Sequence, residues 1–467
     1  MLASTLVAEQ ALASGMAEDG ITESTSAAFK DVTGQFDTSA LRKENMNSSV
    51  LQSEGQTASY ETRTVILSLK GDNLIEKATK ENETVVNYSN SFQGRVAAEK
   101  IRSEQDEVLS AISQKGISYT LERRYNTVLN GVAIEVHTSH VSALKKIAGV
   151  DSVVIANSYA VPETITVSSA ASDVTNETSV YGTGIYDTSA YTNVNGSEND
   201  YGEGTVVAIL DTGLDYTHPA FSRIPENYAW DKDEVAKKLN TEELTAETHG
   251  ELDVNDVFVS AKVPFAFDYA DKDADVYPSY SNHGTHVAGI VGGYDASGYT
   301  DKDGNPITDT AFRGVAPDCQ LVICKVFTDD LDDKDLGGAE AEDIIAALND
   351  CVALGVDVIN MSLGTSCGFT TTNDGDDEGE LLNAVYNDIK TAGISLVCAA
   401  SNDFSSGYGG VFGTNLISNP DSSTVGSPST FAAALSVASI SGQKSPYMTA
   451  VNKDGDEIAV FYEESRD

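Results

Sequence analysis

The chain has 467 residues, with 72 acidic against 29 basic side chains and a formal charge of −43 at pH 7. A surface with that excess repels polyanions, so nucleic acid is excluded as a partner class. Hydrophobic residues make up 40% of the chain, enough for packed cores, yet no uninterrupted apolar run reaches the roughly 18 residues of a membrane span, and the length suits two or three domains.

Met1 to Gly15 is apolar and small but lacks a basic start and carries Glu9, which leaves two readings open, a signal-peptide remnant and an ordinary frayed helix. Residues 15–59 are rich in Ser, Thr, Glu and Asn, so 1–59 reads as a mobile leader. From there the pattern predicts a strand at 64–69 and a helix carrying Val96, Ala97, Ile101, Val108, Leu109 and Ile112 on one face. Extended segments follow at 119–121 and 132–136. A second helix is then expected, capped by Thr138 or Ser139 and burying Val141, Leu144 and Ile147, before a strand at 153–155. The order β-α-β-β-α-β over 60–160 is that of a ferredoxin-like α+β domain.

Residues 161–204 shift to Ser, Thr, Asn, Ala and Gly, as a linker does. Beyond them, short apolar runs at 205–210, 320–327, 356–361 and 394–399 alternate with helical patterns at 283–291, 339–354 and 380–391. Strands apolar on both faces imply a parallel sheet covered on both sides, so 205–445 is predicted to be a doubly wound, mainly parallel α/β domain with its functional groups at the carboxyl ends of the strands. Cys324 and Cys398 sit inside apolar runs and read as buried hydrophobes, and the five cysteines show neither a disulfide framework nor zinc spacing. Acidic clusters at 268–275, 301–305, 329–335, 373–377 and 454–457 read as solvated loops. Asp301-Lys-Asp303-Gly-Asn305 opens like a calcium loop but lacks the later Glu, so a bound calcium is the alternative there.

Asp211 ends the strand at 205–210 and is followed by Thr212-Gly213, which presents a carboxylate at the sheet edge. A turn carboxylate and an aspartic-protease Asp are the competing readings, and the second fails for want of a second Asp-Thr-Gly. His283 and His286 stand three apart with no Glu between them, against a zinc helix. His286 is expected to be a buried core histidine, and His218 structural or exposed. Asn402 follows the strand at 394–399 through Ser401, where its amide could donate to an oxyanion or simply make a turn.

The segments AILDTGLDYTHPAF, NHGTHVAGIVGG, FRGVAPDCQLVICKVF, DVINMSLGTS and VCAASND, in that order from 205 to 402, resemble those of subtilisin-like serine proteases (subtilases), and the spacing before His283 is similar to that of Gram-positive cell-envelope proteinases. The resemblance implies that His283 is the general base, Asp211 its orienting carboxylate and Asn402 the oxyanion donor. It implies that Ser362, Leu363 and Gly364 form a substrate edge faced by Ala400 and Ser401. It makes 60–160 a propeptide that inhibits its own enzyme, with its tail at 153–166 expected along Ser362–Gly364. The substrates are then proteins or peptides, the location is secreted or at the cell surface, and no cofactor is required, structural calcium remaining open.

The family's nucleophile lies in Gly-Thr-Ser-Met-Ala, which does not occur in this sequence. Ser366 follows the substrate strand and Ser427 precedes Pro428, so neither fits. The expectation is therefore that the serine lies beyond residue 467, with 446–467 beginning an inserted domain and these residues alone being inactive; the alternative is a pseudoprotease or peptide-binding module.

Overall fold

The computed structural model describes residues 61–159, 201–241, 244–246, 252–295, 312–329, 338–365, 377–401, 425–438, 447–451 and 457–461. The expected leader, the linker through residue 200, the 301–305 loop, Ser366 and Asn402 lie outside the described residues.

The amino-terminal domain runs β1 (Thr62–Leu69), α1 (Leu74–Glu81), α2 (Val85–Asn90), α3 (Phe92–Gln114), β2 (Tyr119–Tyr125), β3 (Gly131–His137), α4 (Val141–Leu144) and β4 (Val150–Ile155). Its sheet has the order β2-β3-β1-β4, with β1 antiparallel to both neighbours, which is the ferredoxin-like arrangement. Alternation along β1 divides its duties. Val65 and Leu67 pack with Val108, Leu109 and Ile112 of α3 in the domain's own core, while Ile66 joins the core shared with the rest of the chain.

Two features differ from the sequence expectation. Helices α1 and α2 occupy the stretch before α3. Asn73 and Glu76 close a capping box on α1, a legible start signal, but the apolar residues that follow are few and are buried in the core shared with the rest of the chain. The helix expected after 138 is a 3₁₀ turn, Thr138–His140, leading into the single turn α4, with no side-chain cap from the 138–139 pair.

The second domain continues through β5 (Ser158–Tyr159), β6 (Val206–Asp211), α5 (Lys232–Thr241), α6 (Val254–Val257), β7 (Phe265–Asp268), α7 (His283–Gly292), β8 (Tyr294–Asp295), β9 (Phe312–Arg313), β10 (Gln320–Lys325), β11 (Ala339–Glu340), α8 (Ala341–Leu354), β12 (Val358–Met361), α9 (Asp377–Thr391), β13 (Ser395–Ala399) and β14 (Leu435–Val437). A hairpin of β15 (Tyr447–Val451) and β16 (Glu457–Phe461) follows. The central sheet, ordered β14-β13-β12-β6-β10-β7, is parallel throughout. All six residues of β6 are buried, because helices cover both faces. Val206, Ala208 and Leu210 point to the layer of α8 and α9, whereas Val207 and Ile209 pack with Val287 and Ala288 of α7. Asp211 has the parity of the second set, which places it on the face of α7.

Every residue of α8 is buried, including Glu342, Asp343, Asn349 and Asp350. One side of the helix lies on the sheet and the other is covered by the amino-terminal domain. Arg123 reaches Asp343 at 2.8 Å, the Tyr125 hydroxyl donates to the Glu342 carbonyl at 2.9 Å, and Asn349 Oδ1 accepts from the backbone N–H groups of Asn126, Thr127 and Val128 at 2.9 to 3.3 Å. On α9, Asp388 accepts from Asn73 at 2.6 Å.

Candidate active site

Asp211 is delivered to the carboxyl end of β6, where the chain must turn at once to clear the sheet. Gly213, at φ 104°, makes that turn, and a side chain there would stand 2.3 Å from the Val276 carbonyl oxygen. Thr212 then locks the turn onto the start of α7. Its hydroxyl donates to the Ser281 carbonyl at 2.8 Å and accepts from Gly284 N–H at 2.9 Å.

Gly284 lies so close that a Cβ would stand 2.3 Å from the Gly213 carbonyl oxygen. The result is direct contact between the two chemical groups, with Asp211 Oδ1 at 2.7 Å from His283 Nδ1. Asp211 Oδ1 also accepts from Thr212 N–H at 2.8 Å, while Oδ2 is buried with no hydrogen-bond partner among the described residues. The His283 side chain is 18% exposed and that of Asp211 1%, so the imidazole alone faces the outside. With the hydrogen on Nδ1, the contact is a donation to Asp211 and leaves Nε2, on the exposed side, as the acceptor nitrogen. A carboxylate–imidazole pair in this order can take a proton from a hydroxyl brought to Nε2 and stabilise the imidazolium that results.

The other predicted positions lie around the carboxyl ends of neighbouring strands. Ser362, Leu363 and Gly364 continue from β12; the Ser362 hydroxyl accepts from Asn360 Nδ2 at 3.0 Å. The next residue, Thr365, forms an antiparallel bridge with Ser427. Ala400 continues β13, its N–H donating to the Val437 carbonyl at 2.8 Å, and Ser401 follows at φ 100°, a left-handed conformation unusual for a residue with a side chain. Asn402 lies outside the described residues, as does Ser366.

Two expectations need correction, and a third is reached only in part. His286 is exposed, not buried, because it is on the solvent side of α7, opposite the side that packs Val287 and Ala288. Of the tail expected at 153–166 along Ser362–Gly364, residues 160–166 lie outside the described residues; in the described part β4 is held by β1, and Ser158–Tyr159 pairs antiparallel with Ala339–Glu340, just ahead of α8. The acidic stretch beginning at Asp268 is not wholly solvated, since Asp268 is 1% exposed and bonded to Lys325. The sequence did carry a sign of this arrangement, a lysine inside the apolar run LVICKVF.

A family model described as the subtilase family (Peptidase_S8) matches residues 202–461. The PIII-type proteinase of Lactococcus lactis subsp. cremoris (strain SK11) is 31% identical over 365 residues, 77% of this chain and 16% of that protein. The C5a peptidase of a serotype M3 strain of Streptococcus pyogenes is 31% identical over 263 residues, 55% of this chain and 20% of that protein. The chain thus spans less than a quarter of the length of these relatives. Among solved structures, an epidermin leader peptide processing serine protease from Staphylococcus aureus aligns over 74% of this chain and 62% of its own, at 16% identity and a TM-score of 0.39.

Proposed function

The chain belongs to the subtilase family, and from that premise we propose that it supplies the acid–base pair and the peptide-binding edge of a serine endopeptidase acting on extracellular proteins. The observation that carries this reading is the 2.7 Å contact of Asp211 with His283 at the carboxyl edge of a parallel sheet. In the proposed cycle His283 Nε2 removes the proton from a serine hydroxyl as its oxygen attacks the peptide carbonyl, then passes that proton to the leaving amine. Asp211 fixes the tautomer and stabilises the imidazolium. Asn402 donates its side-chain amide to the developing oxyanion, an interaction of about 3 to 4 kcal/mol in such sites. The backbone of Ser362, Leu363 and Gly364 pairs with the extended substrate, and Ala400 and Ser401 face its side chain.

The amino-terminal domain is assigned the role of propeptide and intramolecular inhibitor, which its polar contacts with α8 and α9 support. The proposed chemistry draws on side chains and backbone alone, without a cofactor. A secreted or cell-surface location fits the two Gram-positive relatives. The reading requires a serine that no Gly-Thr-Ser-Met-Ala segment of these 467 residues provides. A peptide-binding module without a nucleophile is the alternative reading. The decisive experiment isolates the protein from its native cells with an antibody to residues 62–467 and treats it with a fluorophosphonate probe. A labelled serine peptide, absent after His283→Ala replacement, is expected; an unlabelled protein that still binds peptides would establish the binding module instead.

A further inference from the structure

A lysine inside a covered parallel sheet is costly, since burial of an ammonium is compensated only by close partners. Lys325 ends β10 with its side chain 1% exposed. It is the register partner of Asp211 on one side and of Asp268 on the other, so the three side chains leave the sheet at one level on the α7 face. The ammonium bonds to Asp268 and lies 3.0 Å from Asp271 Oδ2 and 3.3 Å from Asp329 Oδ2. These carboxylates belong to three places in the chain: the end of β7, the turn after it and the loop after β10.

Each partner in turn holds backbone. Asp271 accepts from the Thr328 hydroxyl at 2.5 Å and from Asp329 N–H at 3.2 Å. Asp329 accepts from Ser279 N–H at 3.2 Å, on the loop that leads into His283. That loop also supplies the Val276 carbonyl, which accepts from Leu214 N–H at 2.9 Å and so grips the turn after Asp211. The Lys325 side chain runs beneath the same turn, with Cδ only 3.0 Å from where a Gly213 side chain would begin.

We propose that Lys325 is a positioning residue for the Asp211–His283 pair, acting through Asp329 and Ser279 on the loop that delivers His283; the inference rests on the peptidase reading of that pair. Lys325 touches no reacting atom. Its charge gathers the segments from β7, β10 and the approach to α7 at one point, so that the imidazole meets the carboxylate without a search over loop conformations.

The test uses the 467-residue chain and needs no turnover. A proton held between Asp211 and His283 Nδ1 gives a low-field NMR resonance, assigned by its loss in His283→Ala. The Asp329→Ala variant, which removes the acceptor of Ser279 and one partner of Lys325, is expected to lose this resonance while the amide signals of the amino-terminal domain stay in place. Asp329→Asn, which keeps an acceptor for Ser279, is expected to restore it, a rescue that general destabilisation would not produce. Lys325→Met should lose it as well, and Asp329→Ala decides the matter if the lysine variant does not fold. Persistence of the resonance in Asp329→Ala overturns the positioning role and leaves the peptidase reading standing. Its absence from the unaltered chain overturns the reading of the pair itself.

Discussion

At Gly284 a methyl group would stand 2.3 Å from the Gly213 carbonyl oxygen and 3.1 Å from Asp211 Cβ, with backbone rather than a flexible side chain as the nearer obstacle. Gly284→Ala must therefore push α7 away from the Asp211 turn. A loss of about 1 to 3 kcal/mol is expected, read as a lower unfolding temperature in calorimetry, together with weakening of the Asp211–His283 contact. Asp211→Asn should leave the fold and peptide binding intact but, in protein carrying its nucleophile, lower kcat by about 10⁴-fold by fixing the wrong imidazole tautomer, which steady-state kinetics would show. Asp211 and His283 were legible because their neighbours are constrained as strongly as they are: a strand buried on both faces, a glycine turn and a glycine-tight helix start leave a recognisable string. His286 is in water because the packed side of α7 is set by Val287 and Ala288, and the helical turn carries residue 286 away from both. Nothing in the local string HGTHVAGIVGG says which side of the helix the sheet will cover.

At the scale of elements, the parallel strands were readable as apolar runs because each is covered on both faces, and α8 because it is covered all round. Short elements whose burial comes from distant chain were not. Helices α1 and α2 pack on each other and on α3, and reach α9 and α8 respectively only from across the fold, and the two-residue strands β5 and β11 exist only through each other. Lys325 and Asp268 are a related case, each a poor core residue alone and a compatible pair when β10 lies beside β7. The same dependence makes Asn349 a sensitive point. Its single Oδ1 accepts from three consecutive backbone N–H groups at 126–128, gathered as at a helix amino terminus. Asn349→Leu leaves those donors buried and unpaired, at about 1 to 3 kcal/mol. The expected result is faster proteolytic loss of residues 62–159 with α8 and the central sheet retained; an unchanged cleavage rate would contradict it.

Across the whole molecule, the contact between the two domains is built on carboxyl groups that burial holds away from their ordinary behaviour. Burial lifts Glu342 to about 8, with Asp343 beside it adding repulsion, and one of its oxygens has no hydrogen-bond partner among the described residues. Asp343 is raised to about 6 by burial in spite of the Arg123 guanidinium, and Asp388 to about 6 by burial in spite of Asn73. In each case the docked state binds a proton more tightly than the separated one. Docking is therefore strongest below the ordinary carboxylate range and weakens as pH rises toward 6 for the two aspartates and toward 8 for Glu342, by about 1.4 kcal/mol per pH unit for each group still protonated only when docked. From other elements, Glu340 on β11 adds repulsion that raises Glu342 further, while a hydrogen bond with the Thr64 side chain on β1 opposes the rise. Raising the pH from 5 to 9 should thus free the amino-terminal domain from α8, seen as growing protease sensitivity of residues 62–159 ahead of the central sheet. Glu342→Gln, which keeps the volume and cannot ionise, should flatten the dependence between pH 6 and 8 and hold the domain in place at the alkaline end. Identical profiles for the variant and the unaltered chain would mean that this carboxyl group does not govern the contact.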